Sequence, residues 1–325
     1  MKIRIFALVA VLLAFAPGCG PAGEVTSTTT RKIKVGAGPE DMAMHPAGDA
    51  PRLLISCKAR RDSQSVFGEI VSYNLVTGVV DTLPRHGTPD SLFFQPHGIY
   101  LDTLVHPPVL YAISHEKEKG FHPVYVCAVK DTHVVFRELI HSPLLHSPNA
   151  LVKAGDAIYV INDSGKRGSL WEKIFNLKKA SLVKLQKDHT GLWSASRVAG
   201  NMSYPAGINA SEDYLYVGDA RLHQVHVFRM TGDGLTREDP VPGVRGIDNL
   251  RFYGDSIIAP GHTQPLKFIR HAGNPGKVSP VAVYLIDPRT QKTRTLFYDD
   301  GTRISAGSSA LIHEGTLYIS QIFEP

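Results

Sequence analysis

A short turn motif recurs along the chain and constrains its fold more than any other feature. The first copy is Gly38-Pro39-Glu40-Asp41, and altered copies return at intervals of about fifty residues. The later copies are Gln95-Pro96-His97-Gly98, Ser147-Pro148-Asn149-Ala150, Tyr204-Pro205-Ala206-Gly207, Gly246-Ile247-Asp248-Asn249 and Ala306-Gly307-Ser308-Ser309. Equivalent turns in a closed repeat fold direct their tips toward one axis. The sequence therefore predicts that the polar side chains of these turns lie together in space.

The segments between the turns are short apolar runs of the kind that forms strands. In the second unit these runs cover 109–113, 124–129 and 134–139, and comparable runs occur in the other units. Three or four such strands per unit are typical of a propeller blade. We expect an all-β fold, a six-bladed β-propeller over residues 31–325. The last unit is short of strands, so the segment 31–35 is expected to supply one and close the ring.

One segment departs from the strand pattern. Between residues 169 and 177 the apolar side chains are spaced for one face of a short helix. We expect a helical insertion near 169–177 that lies over one face of the ring. It is either a surface helix packed on the core or a wall of the pocket that could also face a membrane.

The N-terminus has the features of an export signal. Lys2 and Arg4 precede the apolar run 5–16, which is too short for a comfortable membrane span. Cys19 follows small residues, as in a bacterial lipobox, so residues 1–18 are expected to be a signal peptide and Cys19 a lipidated residue. Plain secretion and a retained anchor are the alternatives. Residues 19–30 are rich in small and polar side chains and are expected to form a tether.

These features predict an exported protein of the bacterial periplasm or cell surface, attached to the membrane where Cys19 is lipidated. The chain has 35 Lys and Arg against 30 Asp and Glu, which is too balanced for a nucleic-acid-binding protein. Cys57 and Cys127 each lie in an apolar run. They are either two buried thiols or a disulfide, which an exported protein permits. The sequence does not fix the oligomeric state.

Four residues from the recurring turns carry oxygen donors suited to a hard cation: Glu40, Asn149, Asp248 and Asn249. Carboxylate and amide oxygens are the ligands that Ca²⁺ prefers, whereas Zn²⁺ favours His and Cys. His97 occupies the turn of the second unit and His115 follows a strand of the same unit, so the two are candidate proton-transfer groups. His262 emerges at the corresponding end of the fifth unit. No serine-hydrolase elbow or phosphate-binding loop occurs, so an esterase of this sequence would depend on a metal.

The turns occur in the order seen in the paraoxonase/arylesterase family, together with Ile161-Asn162-Asp163 and Ser169-Leu170-Trp171-Glu172. The chain resembles that family over roughly residues 35–323. The resemblance implies a six-bladed propeller with calcium in its central tunnel, and lactonase and arylesterase activity on small molecules.

The resemblance also implies roles for individual residues. The ligands of a catalytic calcium correspond to Glu40, Asn149, Asp248 and Asn249. Those of a second, structural calcium correspond to Asp41 and the carbonyl of Ile99. The proton-transfer dyad corresponds to His97 and His115 with Asp163 behind it, and the pocket lining to His262.

Two positions depart from the family pattern. Ala206 stands where the family has an amide ligand of the catalytic calcium, and water can replace such a ligand. Ala150 stands where it has a carboxylate ligand of the second calcium, and ligand charge sets calcium affinity. We therefore expect one calcium and have less reason to expect the second.

The leading hypothesis is a calcium-dependent hydrolase of lactones or aryl esters. Two alternatives remain open. One is a non-catalytic propeller that binds a ligand or a protein and uses calcium only for structure. The other is a sugar lactonase similar to gluconolactonase, with the same fold and metal but another substrate.

Overall fold

The computed structural model describes residues 29–48, 50–62, 65, 67–116, 121–166, 177–232, 234–242 and 244–325. The predicted signal peptide, Cys19, most of the predicted tether and the predicted helix near 169–177 (apart from its last residue) lie outside this part of the chain. In the part described, no helix is long and apolar enough to cross a membrane.

The first half of the chain forms three sheets, each built from consecutive segments. The strands of the first sheet are β1 (Pro39–His45), β2 (Arg52–Cys57), β3 (Glu69–Asn74) and β4 (Val80–Leu83). The second contains β5 (Arg85–His86), β6 (Pro96–Asp102), β7 (Val109–Ser114), β8 (Val124–Val129) and β9 (Val134–Ile140). The third contains β10 (Pro148–Ala154), β11 (Ala157–Asn162), β12 (Ala180–Lys187) and β13 (Trp193–Met202).

The second half repeats this arrangement and ends with a shorter sheet. The fourth sheet contains β14 (Pro205–Ala210), β15 (Tyr214–Asp219), β16 (Gln224–Thr231) and β17 (Gly234–Pro242). The fifth contains β18 (Arg251–Tyr253), β19 (Ser256–His262), β20 (Val281–Asp287) and β21 (Lys292–Asp299). The sixth, in the described residues, consists of β22 (Gly307–His313) and β23 (Thr316–Gln321).

The first strands of successive sheets meet around a central axis. Strand β1 contacts β6, β6 contacts β10, β10 contacts β14, and β22 contacts β1. Between the fourth and fifth sheets, a Cβ added at Gly207 would lie 2.4 Å from the carbonyl oxygen of Asp248, so the backbones touch. The predicted all-β propeller is therefore confirmed. Five of its sheets have at least four strands, and the sixth shows two in the described residues.

The prediction for the segment 31–35 was wrong, because it pairs with no strand in the described residues. Ile33 and Val35 instead pack against an apolar cluster that contains Leu53 of the first sheet and Leu311 of the sixth. The alternating apolar residues are thus buried by side-chain packing between two sheets. Their pattern fits a strand equally well, which is why it misled the prediction.

One backbone hydrogen bond recurs in all six units and shows that they are equivalent. In each turn, the residue before the proline position accepts a hydrogen bond at its carbonyl oxygen. The donor is the backbone N–H of a residue at the end of the second strand, and the distances are 2.8 to 3.3 Å. The donor–acceptor pairs are Lys58–Gly38, His115–Gln95, Asp163–Ser147, Ala220–Tyr204, His262–Gly246 and Ile322–Ala306. This bond places two side chains per unit at the same end of the tunnel. One follows the acceptor by two positions, and the other belongs to the donor.

Cys57 and Cys127 are free thiols buried in the core. Burial raises the pKa of each thiol to about 12. The interpretation as two buried thiols is confirmed, and neither is a reactive cysteine at neutral pH.

A helix that the sequence analysis overlooked, α1 (Pro265–Gly273), follows β19. Proline in its first turn and Arg270 and His271 in its last turn are ordinary helix signals. Arg61 anchors it, because its guanidinium donates to the carbonyl of His271 over 2.6 Å and pairs with Glu324 over 2.6 Å. The helix places Phe268 on the ring of His262, with 4.1 Å between the ring centroids.

Asp219 holds the turn of the fourth unit and gives a test of the fold. Its buried carboxylate accepts from the backbone N–H of Ser203 over 2.7 Å and of Leu222 over 3.0 Å. Burial opposes ionisation, but these bonds and the contact with His226 outweigh it and hold the pKa of Asp219 below its usual value. Its contribution to stability is therefore present above the unfolded pKa and is lost as the pH falls through the folded pKa.

We expect Asp219→Asn to lower the free energy of unfolding by about 2–3 kcal/mol at neutral pH. The difference from the wild type should narrow as the pH falls from about 4, where the carboxyl of the unfolded chain takes up a proton, through the lower pKa of the folded state. Denaturant titrations across that range measure it, with the exposed Asp156→Asn as the control. A deficit that does not change with pH would contradict the assignment.

Candidate functional site

The site lies where the turns of the six units meet. Glu40 is the second residue of β1 and is almost completely buried, with 2% of its surface exposed. Its carbonyl accepts hydrogen bonds from the hydroxyls of Ser308, over 2.5 Å, and Ser320, over 2.9 Å. The first and sixth units thus fix the backbone that carries this carboxylate. Ser308 lies in one of the recurring turns, but no role was predicted for it.

The Glu40 side chain is where three units converge. Asn249 of the fifth unit donates through Nδ2 to Oε1 of Glu40 over 3.5 Å, and to the carbonyl of Ser308 over 3.1 Å. Nδ1 of His97, from the second unit, lies 3.3 Å from Oε2 of Glu40. The guanidinium of Arg60 lies 3.8 Å from the same oxygen. Arg60 was not predicted, because it follows its strand outside the recurring turn.

Among the predicted ligands of the first calcium, three buried side-chain oxygens accept no hydrogen bond from the part of the chain that the structure describes. They are Oε2 of Glu40, Oδ1 of Asn149 and Oδ1 of Asn249. Such atoms are costly to bury without a partner, and a hard cation would supply one. This carboxylate and amide set therefore fits a calcium ion. Within the described residues, no group of three or more His, Cys, Asp or Glu side chains could hold a metal, so the amide oxygens are essential to the candidate site.

The charges of the site also favour a bound cation. Burial, with smaller contributions from Asp41 and Asp248, raises the pKa of Glu40 to about 8 against the opposing effect of Arg60. Burial likewise raises the pKa of Asp248, against the effect of His262, whose Nε2 lies 3.1 Å from Oδ2 of Asp248. Three carboxyl groups thus lie together, and the positive charge of an ion would stabilise their ionised forms.

The two predicted proton-transfer histidines are neighbours. The rings of His97 and His115 have centroids 4.6 Å apart, and the carbonyl of His97 accepts from the Ser56 hydroxyl over 2.6 Å. His122 extends the group, with its ring perpendicular to that of His115 at 5.2 Å. No role was predicted for His122 from the sequence. Its signal was available, because it lies just before β8 while His115 lies just after β7, so both are at one end of a strand pair.

Asp163 and His262 have well-defined partners. The carboxylate of Asp163 accepts from the hydroxyls of Ser147 and Ser164, the latter over 2.7 Å. Its predicted support of His115 stays a prediction. His262 lies between Asp248, to which it is hydrogen-bonded, and Phe268, on which it stacks. It is thus placed to orient a predicted calcium ligand.

The residues predicted for a second calcium already hold a cation. Asp41 pairs with the guanidinium of Arg251, and the carbonyl of Ile99 lies 3.5 Å from the same guanidinium. This set does not fit a metal ion while Arg251 is present. Ala150 and Ala206 are both buried and contribute no oxygen from their side chains.

Comparison with known proteins identifies the family of the chain and structures with the same fold. The model of the arylesterase family matches residues 70–324. No curated protein matches the chain. Many solved structures share the fold, and the following three are examples at low sequence identity.

The aldose sugar dehydrogenase of Streptomyces coelicolor, in its PQQ-bound form, superimposes with a TM-score of 0.57 at 12% identity, over 93% of this chain and 94% of that one. A luciferin-regenerating enzyme superimposes with a TM-score of 0.56 at 10% identity, over 89% and 85% of the two chains. A candidate 6-phosphogluconolactonase of Bacteroides uniformis does so with a TM-score of 0.51 at 13% identity, over 84% and 90%. At these identities the likeness concerns the fold alone.

Proposed function

The chain belongs to the arylesterase family, and we propose that it is a calcium-dependent hydrolase of lactones or aryl esters. The observation that carries the proposal is the set of buried oxygens on Glu40, Asn149 and Asn249, together with the neighbouring rings of His97 and His115. A metal site and a candidate base at one end of a tunnel are the two parts that such a reaction needs.

Glu40, Asn149, Asp248 and Asn249 would hold the calcium ion. When bound, calcium polarises the carbonyl oxygen of an ester and stabilises the negative charge that develops on it. The residues around the ligands keep them in place. Ser308 and Ser320 fix the backbone of Glu40, and His262 orients Asp248.

His97 is the proposed base. Its Nδ1 lies 3.3 Å from Oε2 of Glu40, so the ring is held beside the proposed calcium ligand, and the neutral imidazole is the group that would accept a proton from water. The ring of His115 lies against it and is 4% exposed, which limits the movement of His97 and excludes bulk water from one side. Asp163 is proposed to act behind this pair.

The direct test is hydrolysis by the purified protein of a panel of lactones and aryl esters. We expect activity on at least part of the panel, its loss after dialysis against EDTA, and its return with calcium but not with magnesium. The reason is that the carboxylate and amide donors suit the larger cation, which accepts irregular oxygen coordination.

The panel also separates the alternatives. Hydrolysis restricted to sugar lactones would favour the gluconolactonase-like reading. Tight calcium binding with no hydrolysis anywhere on the panel would contradict the proposal and favour a binding propeller, for which Ala206, a tunnel position without a donor, is the supporting observation. A variant of an exposed histidine, His189→Gln, controls for general effects of histidine loss.

A further inference from the structure

Asp41 is a second buried acid immediately beside Glu40, and its bonding differs from that of its neighbour. Only 1% of its surface is exposed. One carboxylate oxygen accepts from the backbone N–H of Met42 over 2.8 Å, and the other from that of Ile99 over 2.9 Å. Two backbone donors and one guanidinium therefore satisfy this carboxylate, whereas Glu40 keeps an oxygen that accepts no hydrogen bond in the described chain.

The guanidinium on Asp41 belongs to Arg251, the first residue of β18. Its Nε donates to the carbonyl of Met42 over 2.9 Å, and its Nη1 to the carbonyl of Leu250 over 2.8 Å. Its Nη2 meets both the Asp41 carboxylate and, at 3.5 Å, the carbonyl of Ile99. One side chain thus joins the inner strands of the first, second and fifth units.

We propose that Arg251 is a built-in replacement for a structural metal ion, so that the chain has a single calcium site, at Glu40, and none at Asp41. A guanidinium has donors on every nitrogen and no lone pair to offer a metal. It occupies the carboxylate and the carbonyl that an ion would need.

The local charge balance agrees with this assignment. Asp41 and Arg251 together are neutral, and the buried Ala150 adds no second carboxylate. The backbone of Ala150 is close to this region, because a Cβ added at Gly98 would lie 2.8 Å from its Cα. A doubly charged ion in place of Arg251 would leave excess positive charge beside Asp41. The single charge of Arg251 balances the single carboxylate.

The first test removes the guanidinium. Arg251→Met should lower Tm by on the order of 10 °C, because it leaves Asp41 buried without a counter-charge. Adding Asp41→Asn to that variant should restore part of the loss, since no buried charge then remains. Calcium per chain, measured by equilibrium dialysis and metal analysis, should be the same in the double variant and the wild type. Loss of one calcium in the double variant, or a wild-type Tm for Arg251→Met, would overturn the proposal.

The second test rebuilds the metal site and does not need Arg251→Met to fold. The variant Arg251→Ser with Ala150→Asp supplies two carboxylates and a free carbonyl. Both substitutions are introduced into Glu40→Gln, and the resulting protein is compared with Glu40→Gln alone. The site at Glu40 is then weakened equally in the two proteins. We expect one additional calcium per chain and a Tm that rises with calcium. A folded variant that gains no calcium would contradict the proposal.

A second arginine paired with a buried aspartate is the control for the effect of Arg251 on calcium binding. Arg303 pairs with the buried Asp299 over 2.5 Å, away from the tunnel. Arg303→Met should lower stability without changing calcium per chain. Neither readout involves hydrolysis, so this proposal can fail or succeed independently of the proposed enzyme activity.

Discussion

Replacing Glu40 with glutamine is expected to abolish calcium-dependent activity with little change in shape. The substitution keeps the size of the side chain. Among the candidate ligands, it removes the one carboxylate with a buried oxygen that accepts no hydrogen bond. Ligand charge sets calcium affinity, so we expect calcium affinity to fall by at least about 100-fold. Hydrolysis at micromolar calcium should fall by a similar factor.

The same variant should become more stable when calcium is absent. Glu40 is buried beside Asp41 and Asp248, and its raised pKa, about 8, shows that its ionised form is disfavoured without a cation. A neutral amide does not suffer that repulsion. The pair of outcomes, weaker calcium binding and a Tm in EDTA at or above that of the wild type, is specific to a metal ligand.

Isothermal titration with calcium and thermal melts in EDTA measure both effects. Glu212→Gln, in the exposed turn between β14 and β15, is the matched control and should change neither. If Glu40→Gln bound calcium as tightly as the wild type, Glu40 would not be a ligand and the proposed centre would be wrong.

The recurring turn made the fold predictable from the sequence. Glu40, His97 and Asn149 are each the second residue of the inner strand of their unit, and Asp248 lies at the equivalent position before β18, as the repeat required. The repeated hydrogen bond explains why His115 and His262 return to the same end. Periodicity therefore predicted which residues share the tunnel, because equivalent backbone positions place side chains equivalently.

The repeat could not predict contacts made by residues that lie outside the recurring turns. Arg60 and Arg251 approach Glu40 and Asp41 from outside the turn positions, and long side chains reach partners that no spacing rule identifies. Helix α1 interrupts the fifth unit after a tunnel residue, so the stacking of Phe268 on His262 depends on an insertion. The segment 31–35 failed as a strand because an alternating apolar pattern reports burial and not hydrogen bonding.

The second large effect concerns the histidines. His97→Gln should retain calcium affinity within a few-fold, because His97 faces Glu40 but is not among the proposed ligands. Its hydrolytic rate should fall by about 10²–10⁴-fold, the usual contribution of a general base. In a non-catalytic propeller, His97→Gln would not lower a hydrolytic rate while leaving calcium affinity nearly unchanged.

His122 distinguishes a positioning role from a catalytic one within the group. It contacts the ring of His115, and the contacts place His115, not His122, against His97. We therefore expect His122→Gln to reduce turnover less than His97→Gln and to shift the pH profile of kcat, whereas His122→Phe should restore packing but not the profile. The values of kcat and kcat/KM across pH, measured for the three variants at saturating calcium, test this order. If all three variants kept full activity, water would have to be activated by other residues, and the histidine rings would serve only to pack the second unit.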